Sequence, residues 1–354
     1  PQSRKRTFNS RRVADIQQQD NETPKFELFK VGTLKGHQSR VFTSEFHPSD
    51  DSLLATSSED STARLWDIAS AEQICCLEGH GDDAVYSISW SQDGATLATG
   101  GADGRLVLWD FQTGSPKQTA VLGGDVFASE FVASNRLVTS NDSTVTLWDL
   151  ETMQPITQRA VEPATSFVFG GVERNPDATP YVFGLRHTAA RGFLALAVSD
   201  ATVRIWDMDL EERVVLKGHG KDVCCVRLRG DGDEMITGSG DTMAGVWDLR
   251  ELRVRHVLRG HGGNVHDCCY MPGGRGICTV SNDRTARVWG DDGKEALCLG
   301  PDHTAKLSCG ASSTTVAVGG GENKSHLGGD FGVSLWSHKY DALLGLVPGP
   351  RPAR

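Results

Sequence analysis

The chain has 354 residues, 38% of them hydrophobic, and a formal net charge of −10. An acidic body lacks the cations that general nucleic-acid binding needs, no stretch approaches the roughly 18 apolar residues of a membrane span, and no secretory apolar segment stands at the start. The nine cysteines include three adjacent pairs and no Cys-x-x-Cys, so they read as buried thiols of a reducing compartment rather than as disulfides or metal ligands.

Residues 1–23 are polar, Gln-rich at 17–19 and without periodicity, with a net charge of +2. They read as a basic, polar arm, disordered on its own. Arg4-Lys5-Arg6 with Arg11-Arg12 suits a solvated tail, a nuclear localisation signal or a docking arm. From Pro24 the character changes. Phe26 to Leu34 is strand-like, and a repeat follows it.

Seven tryptophans each have an aspartate six residues before them: Asp60/Trp66, Asp103/Trp109, Asp142/Trp148, Asp200/Trp206, Asp241/Trp247, Asp283/Trp289 and Asp330/Trp336. The steps between these tryptophans are 43, 39, 58, 41, 42 and 47 residues. Such a period marks a repeat architecture. Within each unit an apolar run, an Asp-centred turn and an alternating run predict two strands joined by a tight turn. Five of the tryptophans precede an aspartate, at 67, 110, 149, 207 and 248, and Gly36-His37, Gly79-His80, Gly218-His219 and Gly260-His261 stand upstream.

These residues resemble the WD-repeat family over 26 to 336 or a little beyond. The resemblance implies an all-β protein, a seven-bladed β-propeller over residues 24–347 with a short tail at 348–354, each blade a four-stranded antiparallel sheet. It also implies that one terminus completes the last blade. Phe26 to Leu34 is assigned as the outer strand of blade seven, with the strand-like residues 340–347 as its rival.

A histidine, a second-strand serine, the turn aspartate and the tryptophan are expected to form one hydrogen-bonded chain per blade. Full sets stand in unit one (His37, Ser58, Asp60, Trp66), unit five (His219, Ser239, Asp241, Trp247) and unit six (His261, Ser281, Asp283, Trp289). Unit two has Gly101 for the serine, and unit four has Val198. Sets of Ser, His and Asp resemble catalytic triads, but their repetition marks a structural role. No phosphate-binding loop follows from the Gly-rich stretches. No catalytic residue, cofactor or metal is expected, and no small-molecule substrate.

Function is therefore sought on loops and at the channel. Two connections break the period, residues 159–179 and 319–329, and in the resembled fold both lie on the top face. The residue after the first apolar position of each inner strand is Phe42, Tyr86, Phe127, Phe183, Cys224 and His266. The resemblance puts that position near the top mouth of the channel, ringed by Arg40, Asp82, Asp83, Lys221, Asp222 and Asn264. Aromatic anchors within a polar rim suit a protein partner; the alternative is that the rings pack between blades. Finally, Trp247-Asp248-Leu249-Arg250 resembles the motif by which some WD-repeat proteins dock to the adaptor of cullin-4 ubiquitin ligases. Arg250 would make that contact, although Ala244 and Gly245 depart from the longer pattern. The expected function is a non-catalytic scaffold, cytoplasmic or nuclear, within a multi-subunit assembly; the alternative is a ligase substrate receptor.

Overall fold

A computed structural model describes residues 28–163, 179–274, 276–300, 306–320 and 331–338. The arm at 1–23, the tail at 348–354, the rival strand at 340–347 and most of both long connections lie outside the described residues. Seven four-stranded antiparallel sheets make up the protein, a seven-bladed propeller. Blade one shows the plan: Val41–His47, Asp50–Ser58, Thr62–Asp67 and Glu72–Glu78 pair in sequence order from the channel outward. Among the described residues the one helical element is a turn at Pro272–Gly274.

The turn between the second and third strands explains the recurrent aspartate. In five blades the residue after it lies at positive φ: Ser61 at 66°, Gly104 at 70°, Ala201 at 68°, Thr242 at 73° and Arg284 at 71°; in blade three Asp142 itself does, at 49°. Only glycine adopts that region without cost. The aspartate carboxylate offsets the cost by accepting the amide two residues on, from Thr62 at 3.1 Å, Met243 at 2.9 Å and Thr285 at 2.9 Å. This local bond is the mechanism that makes Asp a turn residue.

Cores form between blades rather than within them. Ala55, Leu65 and Leu77 of blade one pack on Ile88, Leu97 and Trp109 of blade two. A sheet buries its face only against the next sheet, so the ring is stable only when closed. Closure is made by Leu28–Leu34, which runs antiparallel to Val333–His338 with Leu28 opposite His338 and Leu34 opposite Val333. It is the outer strand of blade seven. Leu34 then enters a cluster with Val41, Leu54 and Trp66 of blade one and Ala317, Val333 and Leu335 of blade seven.

Leu34 is 1% exposed. Leu34→Ala is expected to cost about 2–5 kcal/mol, the range for a fully buried leucine. A thermal melt matching that of the unaltered chain would show that the closing strand does not bear on stability.

Candidate functional site

Two arrangements recur in the blades: a hydrogen-bonded chain on the outer side and a ring of side chains at the channel. In the first, His37 Nδ1 meets Asp60 at 2.8 Å while its Nε2 meets Thr56 Oγ1 at 2.7 Å, and Trp66 Nε1 donates to the same hydroxyl at 2.8 Å. Blade five repeats this with His219, Asp241, Thr237 and Trp247, and blade six with His261, Asp283, Thr279 and Trp289. The link from histidine to tryptophan is thus a threonine, which corrects the expectation of a serine. Ser58, Ser239 and Ser281 instead receive the amide of the turn aspartate, and Ser58 and Ser239 also donate to the carbonyls of Ser39 and Lys221. They brace the turn from below and make no bond to the histidine. That is why blade two keeps the chain through His80, Asp103, Thr99 and Trp109 although Gly101 stands for the serine.

Blades three and four solve the same problem differently. In blade three Trp148 still bonds Thr139, at 2.9 Å. In blade four a buried arginine replaces the histidine: Arg204 bonds Asp200 at 2.5 Å and Glu212 at 3.0 Å, and the Trp206 indole donates to Glu212 at 3.4 Å. Sequence reading missed Arg204, although a lone Arg amid apolar residues with Asp200 four residues before it was a visible signal.

Burial pushes the Asp283 carboxyl up, but bonds from Thr285, the Gly262 amide and His261 outweigh it and hold its pKa at about 2. His37 and His261 are pushed down by burial, against the pull of their aspartates. The ionised aspartate and its bonds are therefore what the folded state favours.

At the channel, Phe42, Tyr86, Phe127 and Phe183 stand half-buried on the inner strands of blades one to four. Successive rings touch, with centroids 5.3, 5.3 and 5.5 Å apart. Tyr181, which sequence reading passed over, stacks on Phe183 at 6.3 Å and is 45% exposed. The rings pack across blades and at the same time line a cavity of about 160 Å³. Above it opens a wider hollow of about 470 Å³ bounded by Arg40, Phe42, Phe183, Lys221, Asn264 and His266. Arg40 lies 5.6 Å from the Phe42 centroid and pairs with Glu59. His266 Nε2 is buried and has no hydrogen-bond partner among the described residues. Cys224 is held as a thiol, its pKa pushed up to about 12 by burial and then by Asp222. Asp82 is exposed in the turn ahead of Val85–Trp90 and lines neither cavity.

Below the rings lies a belt of charges that sequence reading also missed. Arg186 bridges Glu45 and Glu130, and Arg227 bonds Asp267 at 3.2 Å. Burial raises the Asp267 carboxyl to about 6 against Arg227 and the Cys309 and Cys268 amides, and it raises Glu45 and Glu130 as well. The available signal was an offset: Glu45, Glu130, Arg186 and Arg227 each stand three residues after a mouth residue. Arg250, at the opposite end of blade five, is 69% exposed and paired with Asp233.

Comparison with known proteins agrees with this geometry. Residues 29–67, 71–110, 210–248 and 252–290 match the repeat described as WD domain, G-beta repeat. The chain is a WD-repeat protein. It is 26% identical over 228 residues to a guanine nucleotide-binding protein subunit beta of Oryza sativa subsp. japonica, covering 60% of this chain and 58% of that one. It is 27% identical over 308 residues to the nuclear distribution protein PAC1 of Arthroderma otae, covering 75% and 62%. A 77-residue stretch is 40% identical to Coronin-7 of Rattus norvegicus, covering 22% and 8%. The chain thus spans less than two thirds of the length of these relatives. No helix among the described residues is long and apolar enough to cross a membrane.

Two measurements test the hydrogen-bonded chain. Asp241→Ala and Thr237→Val are each expected to lower stability by about 1–3 kcal/mol, the cost of orphaning buried polar partners, whereas Asp231→Ala in an exposed turn should stay near wild type. Equal melting temperatures for Asp241→Ala and Asp231→Ala would rule out a structural role. The second concerns acid. A carboxyl whose folded pKa lies below its ordinary 3.8 stabilises fully above that value and loses its contribution as the pH falls through about 2. The gap in melting temperature between wild type and Asp283→Asn should therefore be constant from about pH 7 to pH 5 and shrink below pH 4; a gap that widens in acid would contradict the assignment.

Proposed function

We propose that this chain is a non-catalytic scaffold that holds a protein partner by a segment seated on the mouth of the channel. The observation that carries the reading is the unbroken arc of Phe42, Tyr86, Phe127 and Phe183, half-buried and facing a cavity. Rings already packed on their neighbours lose little rotamer freedom when a ligand arrives, so their apolar area converts efficiently into affinity. Arg40, Lys221, Asn264 and His266 on the rim orient the segment, and electrostatic complementarity there favours one partner over another. Asp82 remains an outer contact for a longer segment. The rice relative is by its name a subunit, which fits a place in a larger assembly.

Partners are first identified by affinity purification and mass spectrometry with the full chain. Phe42→Ser and Phe127→Ser should then each weaken binding of the recovered partner by about 2 kcal/mol or more, as at a hot spot, without a change in the fold. A partner that binds both variants as tightly as the wild type, or that sits only on outer strands or bottom loops, would remove this reading.

A second reading, docking to a cullin-4 ligase adaptor, rests on the exposure of Arg250. Its guanidinium must leave Asp233 to make such a contact. If the reading is right, wild type co-purifies cullin-4 and Arg250→Ala does not; no cullin-4 or adaptor with the wild type ends it.

A further inference from the structure

Blade five differs from blades one, four and six at one place on the outside of the ring; blades two, three and seven, with Val107, Thr146 and Ser334 there, also lack the arginine. Two residues before the tryptophan, blades one, four and six carry Arg64, Arg204 and Arg287. Each reaches across to the fourth strand: Arg64 to Gln73 at 2.6 Å, Arg204 to Glu212 at 3.0 Å, and Arg287 to Glu295. These clasps close the sheet surface beside the tryptophan. A methyl on Gly36 would meet the Arg64 guanidinium and the Trp66 ring, and one on Gly260 would meet Arg287, Glu295 and Trp289. Blade five has Gly245 in place of the arginine and Val254 in place of its partner. Beside the matching Gly218 the nearest atoms belong to Trp247 and Val254.

Loss of both members of the clasp leaves a hollow of about 350 Å³, with Trp247, Ala244 and Val254 among its lining and Met243, Val257 and Arg259 towards solvent. Val257 is 43% exposed. The wall is largely apolar and carries the cation Arg259; His219 and Asp241 also line it, the Asp241 carboxylate being taken up by His219 and the Gly220 and Met243 amides. On the same strand Arg253 pairs with Glu251 and Arg255 with Glu234, but among the described residues Arg259 meets no carboxylate, only the Met243 sulfur. The strand Arg253–Arg259 is also the outermost of its sheet, so its outer backbone edge is unpaired within the blade.

We propose that this hollow is a second docking site, for an extended segment of a protein partner that carries a large aliphatic or aromatic side chain next to an acidic residue. The apolar side chain fills the volume that an arginine fills in blades one, four and six. The carboxylate pairs with Arg259, and the backbone lies along the free edge of the strand. Charge complementarity selects this occupant. A basic segment, such as the chain's own Arg4-Lys5-Arg6 arm, meets Arg259 as a like charge. The site is independent of the channel mouth, so a partner that used both would gain by linkage of two contacts.

Short random peptides displayed on phage, panned on the full chain, supply the probe. Enriched peptides are made with a fluorescein label and titrated by anisotropy. The expected result is a shared apolar residue beside Asp or Glu. Val257→Glu, which places a carboxylate in the hollow, and Arg259→Glu should each weaken those peptides about tenfold or more. Replacing the peptide acid by lysine should weaken binding to wild type and restore it on Arg259→Glu, a charge swap that damage to the fold does not produce. Both positions are on the exposed strand, and unchanged melting temperatures confirm that the variants fold. Phe42→Ser should bind the same peptides with unchanged affinity. Failure to enrich such peptides, unchanged affinity in Val257→Glu and Arg259→Glu, or loss of binding in Phe42→Ser would each overturn the proposal. The last outcome would place the peptides at the mouth and leave the scaffold reading standing.

Discussion

The carboxylate of the turn aspartate is the interaction on which the blades depend. In blade one, one oxygen takes the amide two residues on and so offsets a residue held at positive φ. The other takes a histidine that arrives from the connection between blades. Through Thr56 the same histidine fixes the indole of Trp66. A local turn, an inter-blade connection and the largest core side chain are thereby held in one geometry. In a buried setting such a chain is worth having only if every member is satisfied, which is why the residues recur as sets and why blade four changes several members together, using Arg204 with Asp200 and Glu212.

The second constraint is closure. Because each core is shared by two sheets, no blade has a complete core of its own. The strand Leu28–Leu34 joins the end of the described chain to its beginning and removes the last gap between sheets. A ring of this kind is held chiefly by the cores between its sheets, which leaves the identity of the side chains at the channel mouth free to vary. The mouth therefore tolerates phenylalanine, tyrosine, cysteine and histidine at one equivalent position. Beneath it the inner strands tolerate buried carboxylates as long as arginines stand across the channel, as Arg186 does for Glu45 and Glu130.

The same freedom operates on the outer strands. The clasp beside the tryptophan is an arginine with an amide or acid in three blades, yet a glycine with a valine in blade five. The tryptophan stays buried in each case, so the network beneath carries the fold and the clasp can be absent. Differences among repeats that share one scaffold are where a repeat protein acquires distinct binding surfaces.

The sequence by itself determined the architecture. The spacing of Asp and Trp reports hydrogen bonds that are short in sequence or repeated per unit, and such bonds leave a periodic trace. Closure by Leu28–Leu34 was legible for a related reason, since that segment precedes Gly36-His37 as a fourth strand precedes the next unit. Which hydroxyl joins His37 to Trp66 was not legible: Thr56 and Ser58 lie two residues apart on one strand face, and only the pleat and the hairpin register put the threonine between the rings. The pairing of Arg186 with Glu45 and Glu130 joins residues of three different blades, and the opening of the blade-five hollow depends on which neighbours reach across it. Those contacts arise from curvature around the ring. No repeat period encodes them, so the tertiary structure decided them.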